Sequence, residues 1–139
     1  MSKQKLKGII VPATTPFDTA GEIDFSAVSL QIDWLISNGV HGIAVGGSTG
    51  EGHTLALDEY VKLVDTAVDA VNGRVPLIAG IITDSTRDAI KRGQMVQQSG
   101  VAALQVTPVH YLFKPTDSAT IEHFRAVTEE TGMPVIIYN

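Results

Sequence analysis

The sequence contains no cysteine. That excludes a disulfide framework, a thiolate nucleophile and any Cys-ligated metal, and it fits a reducing compartment. Positive charge is also scarce. Ten Lys and Arg stand against fifteen Asp and Glu, a net charge of −5. The chain therefore lacks the basic surplus on which binding to a phosphate backbone draws, and no nucleic-acid partner is expected. No apolar run approaches the roughly 20 residues that span a bilayer. Residues 1–7 are basic, but the apolar stretch after them breaks at Pro12 and Pro16, which is the wrong pattern for a signal peptide. The four histidines, His41, His53, His110 and His123, show no ligand spacing such as H-x-x-x-H, so no metal site is expected. These absences leave a soluble, cytoplasmic protein as the expectation.

What is present is a globular composition. Hydrophobic residues at 44% against 18% charged make the chain too apolar to stay disordered. Its 139 residues suit one domain, which at this size buries roughly two thirds of the surface of the unfolded chain. Short β-rich runs alternate with longer segments of helical spacing, the pattern of βαβ units on a parallel sheet. Residues 8–13, 42–46, 75–82, 102–107 and 134–138 read as strands, near-continuously apolar as strands covered on both faces are.

Four helices fall between them. Val28, Ile32 and Leu35 share a stripe on the first, over 25–37, with Asp24 as its N-cap. Val61, Val64, Val68 and Val71 do so on the second, an assignment that rests on spacing because valine is a poor helix former. Ser85 to Asp88 resembles a capping box at the start of the third. Ile121, Phe124 and Val127 mark the inner face of the fourth. Gly39, Gly73, Gly100 and Gly132 follow the helices as left-handed caps.

Four βα units and a fifth strand make the first half of a (β/α)₈ barrel, an α/β fold that typically takes about 250 residues. The alternative is a five-stranded flavodoxin-like open sheet. A missing fifth helix would leave part of that sheet bare, which favours the half barrel. No linker or low-complexity stretch divides residues 1–139, so no internal domain boundary is expected.

Active sites of parallel α/β folds lie at the carboxyl ends of the strands. Strand two ends in Gly46-Gly47-Ser48-Thr49-Gly50-Glu51, where two hydroxyls among glycines can offer donors to a small anion, or can simply satisfy the backbone of a glycine-rich turn. The run is neither a Walker loop nor a dinucleotide fingerprint. Glu51 reads more readily as a structural carboxylate bonding loop amides than as a general base. Tyr138, at the end of strand five, is either a proton relay or an aromatic plug at the barrel mouth. His110 and Tyr111 lie on a longer loop after strand four, as part of a lid or an interface. His41, His53 and His123 read as surface or capping residues.

Together these pieces resemble the dihydrodipicolinate synthase and N-acetylneuraminate lyase family of pyruvate-dependent class I aldolases. Gly47-Ser48-Thr49-Gly50-Glu51 followed by Leu55 and Glu59 matches the family's G-[ST]-T-G-E-x-x-x-L-x-x-x-E. Thr15-Pro16-Phe17, Val106-Thr107-Pro108 and Tyr138-Asn139 fall in the family's order and spacing. The resemblance implies a barrel in which a lysine on strand six forms a Schiff base with pyruvate or a related 2-keto acid, without metal or cofactor. The reaction it implies condenses pyruvate with an aldehyde, as in the synthase of lysine biosynthesis, or releases pyruvate by the reverse cleavage. The alternatives are a sugar-acid aldolase or dehydratase of the same family, or a non-catalytic half barrel.

The resemblance gives Gly47, Ser48 and Thr49 the keto-acid carboxylate. It gives Tyr138 the proton relay, in which Ser48 takes part. Tyr111 becomes the second tyrosine, which in the family usually reaches into a neighbouring subunit, implying a homo-oligomer, dimer or tetramer. The segment Thr107-Pro108-Val109-His110-Tyr111 is one residue longer here than in many synthases, leaving His110 as the alternative to Tyr111. The Schiff-base lysine is expected beyond Tyr138. Lys3, Lys5, Lys7, Lys62, Lys91 and Lys114 all fall outside such a position. The chain therefore reads as the N-terminal half of an enzyme.

Overall fold

Short runs of β-branched and small apolar residues alternate with helices, and the computed structural model, which describes residues 6–139, arranges them in strict succession. The order is β1 (Ile10–Pro12), α1 (Phe25–Ser37), β2 (Gly42–Val45), α2 (Leu57–Val71), β3 (Leu77–Ile81), α3 (Thr86–Val96), β4 (Ala103–Val106), α4 (Asp117–Thr131) and β5 (Val135–Ile137). All five strands pair parallel in the order β1-β2-β3-β4-β5. A flavodoxin-like sheet would place the second strand outside the first. Here β1 lies at the edge, so the open-sheet alternative falls and the arrangement is that of four βα units and a fifth strand of a (β/α)₈ barrel.

Because side chains alternate across a strand, the sheet has two distinct faces. Ile43, Val45, Leu77, Ala79, Ile81, Leu104 and Val106 point to the helices and form the main core with Val28, Ile32, Val64 and Val127. Ala44, Ile78 and Ala103 point the other way and form a smaller cluster with Ile10 and Ile136. That second face is the inside of the arc.

The helix termini follow from local chemistry. Asp24 Oδ1 accepts from the Ala27 amide at 2.9 Å, and Ser85 Oγ accepts from the Asp88 amide at 3.1 Å. All four glycines expected behind the helices take positive φ.

Two helices sit differently from their expected stripes. On α2 the buried line is Tyr60, Leu63, Val64, Ala67 and Val71, with Val61 and Val68 only half-buried. The face is turned toward Tyr60, the largest of these side chains, which is fully buried. On α4 the buried residues are His123, Val127 and Thr131, while Ile121 is 67% exposed. A histidine occupies the place expected for an apolar residue because both ring nitrogens find partners.

Candidate active site

The strand-two loop is built from backbone bonds that leave its hydroxyls unused. Gly52 N–H donates to Gly47 O at 3.0 Å and Glu51 N–H to Ser48 O at 3.1 Å. Glu51 sits in the left-handed region with φ of 54°. From the segment after β1, the buried Thr15 hydroxyl donates to Gly50 O at 2.6 Å. From α3, Arg92 donates to Leu55 O at 2.7 Å and to Gly52 O at 3.4 Å. Beyond the loop, Ala56 N–H donates to Glu59 Oε2 at 2.8 Å, and Leu55 is buried. The motif's leucine and glutamate thus anchor the loop in the core and cap α2.

Two glycines permit the loop's close approach. Gly46 has φ of 66°, and a Cβ there would meet the Tyr60 ring at 3.0 Å. A Cβ at Gly80, inside β3, would lie 2.4 Å from Gly47 N. The loop backbone rests directly on β3 and against the Tyr60 ring of α2.

Ser48 and Thr49 are exposed, and neither hydroxyl has a hydrogen-bond partner among the described residues. Satisfying the turn is therefore not their task; Thr54 does that, donating to Glu51 O at 2.8 Å. The Glu51 carboxylate bonds no loop amide among the described residues, contrary to the structural role expected of it. The turn closes through the Glu51 backbone instead.

Two adjoining cavities open at the carboxyl ends of the strands. The outer, about 600 Å³, is lined by Ser48, His53, Asp84, His110, Tyr111 and Tyr138 among others. The inner, about 310 Å³, lies inside the arc and is lined by Gly47, Ser48, Thr49, Gln105 and Tyr138 among others. Ser48 and Tyr138 face both. All five residues singled out from the sequence, Gly47, Ser48, Thr49, Tyr111 and Tyr138, thus meet at one end of the sheet. Tyr138 is 43% exposed, and its amide extends the ladder past β5 by donating to Val106 O at 2.9 Å. Tyr111, Leu112 and Phe113 form an exposed apolar tip. His110 shares the outer cavity with Tyr111 and has its Nδ1 3.1 Å from Pro108 O.

The histidines divide three ways. His41 is exposed and accepts from Ile9 N–H at 3.1 Å, as a capping residue would. His53 is exposed but lines the outer cavity. His123 overturns its expectation as a surface residue: it is 3% exposed, with Nε2 3.0 Å from Thr107 O and Nδ1 2.9 Å from Thr86 Oγ1. A carbonyl only accepts, so Nε2 carries the proton and Nδ1 accepts from Thr86. Burial lowers the His123 pKa, and the bond to Thr107 partly opposes it. His123 thereby ties α4 to the end of β4 and the start of α3.

Gly80 and Arg92 carry no role in the sequence reading, Thr15 enters it only within the Thr15-Pro16-Phe17 match, and His123 only as a surface or capping residue. Gly80 had a readable signal, since an isolated glycine inside an apolar strand marks a close backbone approach. Long-range pairs such as Arg92 with Leu55 leave no local pattern.

No described lysine lines either cavity. Lys62 lies on α2 with its ammonium 4.1 Å from the Phe25 ring centre, Lys91 is on α3, and Lys7 and Lys114 are exposed. Lys3 and Lys5 lie outside the described residues. No three His, Asp or Glu side chains converge as a metal site among the described residues, and no described helix is long and apolar enough to cross a membrane.

Fold and site together define a barrel-type α/β protein with hydroxyl donors and a tyrosine at the carboxyl ends of its strands. The dihydrodipicolinate synthetase family model matches residues 5–139, and the chain belongs to that family. It is 43% identical over 126 residues to the 4-hydroxy-tetrahydrodipicolinate synthase of Bacillus subtilis (strain 168), covering 90% of this chain and 43% of the relative. It is 43% identical over 140 residues to the synthase of the same name from Ehrlichia canis (strain Jake), covering 100% of this chain and 47% of the relative. The chain thus spans about half the length of the curated relatives it matches. Among solved structures, the chloride-inhibited dihydrodipicolinate synthase from Acinetobacter baumannii complexed with pyruvate superposes with a TM-score of 0.93 at 31% identity, over 97% of this chain and 46% of that one. Dihydrodipicolinate synthase DapA-2 from Bacillus anthracis gives 0.89 at 39% identity, over 95% and 45%.

Proposed function

We propose that this segment supplies the keto-acid-binding half of a carbon–carbon lyase that joins pyruvate to an aldehyde through a lysine Schiff base, as a 4-hydroxy-tetrahydrodipicolinate synthase does. The observation that carries this reading is the pair of unpaired hydroxyls at Ser48 and Thr49, facing the same inner cavity as Tyr138. A carboxylate placed on them accepts charge-assisted hydrogen bonds, which fixes the keto group's orientation without any step of chemistry. The Tyr138 phenol, facing the same space, exchanges a proton with the reacting carbonyl oxygen by way of the Ser48 hydroxyl. The lysine comes from outside this segment.

Tyr111 completes a neighbouring copy's site in a homo-oligomer, and the exposed tip of Tyr111, Leu112 and Phe113 supports that contact. Residues 1–139 belong to one domain without an internal boundary, in a cytoplasmic protein. The reading is tested by treating a full-length chain that carries this segment with pyruvate and borohydride. The reduced adduct appears on one lysine, as a mass gain absent without pyruvate. No gain under those conditions removes the imine mechanism.

A further inference from the structure

The loop that carries Ser48 and Thr49 is held by a residue that lines neither cavity. Arg92 stands on α3, one βα unit away, and half-buried. Its Nη2 donates to Leu55 O at 2.7 Å and its Nη1 to Gly52 O at 3.4 Å, so one planar guanidinium spans both carbonyls at the C-terminal end of the loop. The same group lies 4.9 Å from the centre of the Tyr60 ring. Tyr60 is fully buried, and its ring packs beneath Gly46, where the loop leaves β2. One side chain therefore touches the exit of the loop directly and its entrance through an aromatic ring.

We propose that Arg92 is the positioning residue of the keto-acid loop, setting the orientation of the Ser48 and Thr49 donors by clamping Gly52 and Leu55 against Tyr60. The inference rests on the reading of Ser48 and Thr49 as carboxylate donors. Its chemistry is specific to arginine. The planar fork bonds two carbonyls while its face lies against a ring, and a lysine ammonium in the same place has neither the fixed fork nor the flat face to do both at once. Releasing the clamp leaves both hydroxyls in the protein but lets their carrier move. The loss then falls first on binding of the keto acid, and on proton handling only through the looser placement of Ser48, since Tyr138 stands at the end of another strand.

The test compares Arg92→Met, which keeps the aliphatic stem, Arg92→Lys and Ser48→Ala in a full-length chain carrying this segment. Amide hydrogen exchange and pyruvate steady-state kinetics are read for each. In Arg92→Met the Gly52 and Thr54 amides exchange roughly tenfold faster, while those of β3 and β4 are unchanged. KM for pyruvate rises roughly fivefold or more, kcat falls by less than in Ser48→Ala because the hydroxyl is kept, and Arg92→Lys falls between Arg92→Met and the unsubstituted chain. Unchanged loop exchange in Arg92→Met overturns the proposal. So does faster exchange spread evenly over the strands, or an Arg92→Lys variant no better than Arg92→Met, since either makes Arg92 a general packing residue. If Ser48→Ala leaves pyruvate KM untouched, it is the functional reading that fails, and loop exchange alone then decides whether Arg92 clamps the loop.

Discussion

The Ser48 and Thr49 hydroxyls bond no partner among the described residues, so removing either leaves no orphaned group among them. On the proposed keto-acid reading, Ser48→Ala and Thr49→Ala in a full-length chain each delete one charge-assisted bond to the carboxylate, roughly 1.5 to 3 kcal/mol. Pyruvate affinity then falls roughly tenfold to a hundredfold at unchanged thermal stability. Tyr138→Phe keeps the ring and deletes the proposed relay, so kcat is expected to fall about a hundredfold or more with a smaller change in binding. Steady-state kinetics beside thermal melts check both. His123 gives a prediction of another kind. Its pKa is lowered in the fold. Below its ordinary value the unfolded chain takes up a proton that the native ring resists, so stability is complete above about pH 6.5 and is lost as pH falls toward the lowered value. Urea unfolding from pH 7.5 down to 5 shows a steeper loss for the native sequence than for His123→Gln, and equal slopes contradict the assignment. Sequence reasoning found the hydroxyls and the tyrosine because strand ends and glycines announce them. It missed His123 because a lone histidine on a helix carries no sign of two partners separated from it by 37 and 16 residues.

At the scale of elements, the site depends on how closely the strand-two loop can lie on its neighbours. A Cβ on Gly80 would stand 2.4 Å from Gly47 N and 2.5 Å from Gly47 Cα, and both are backbone atoms that yield only if the loop moves. Gly80→Ala therefore costs about 1–3 kcal/mol by overpacking. It also displaces Ser48 and Thr49, so stability and pyruvate affinity fall together, where Ser48→Ala leaves stability unchanged. Denaturant midpoints and pyruvate titrations of the two variants separate the cases; a Gly80→Ala protein of unchanged affinity refutes the close seating. The strands and helices were legible because β-rich runs and helical spacing alternate so regularly, with Asp24 and Ser85 capping where expected. The faces of α2 and α4 were less so. Counting valines on α2 overlooked that Tyr60 brings the greater area to bury, and Ile121 lies on the wrong side of α4 from the position His123 holds. Spacing identifies a stripe, but which stripe goes inward is settled by what it packs against.

Taken whole, the chain is a sequentially ordered parallel arc, with helices on its outer face and a small apolar cluster and the inner cavity on the other. That order excludes the open sheet, and a sequence alone could not, because both folds share the same succession of elements. The arc brings the end of β2 and the end of β5 to one cavity, although 89 residues separate Thr49 from Tyr138 in sequence. The central claim is that this cavity receives the keto acid with its carboxylate on the strand-two loop. It is tested most directly by a crystal structure of the borohydride-trapped pyruvate adduct of a full-length chain carrying this segment. The account predicts the carboxylate within about 3.2 Å of the Ser48 and Thr49 hydroxyls, with the Tyr138 phenol turned to the same ligand. A carboxylate held elsewhere, with both hydroxyls left to solvent, contradicts it.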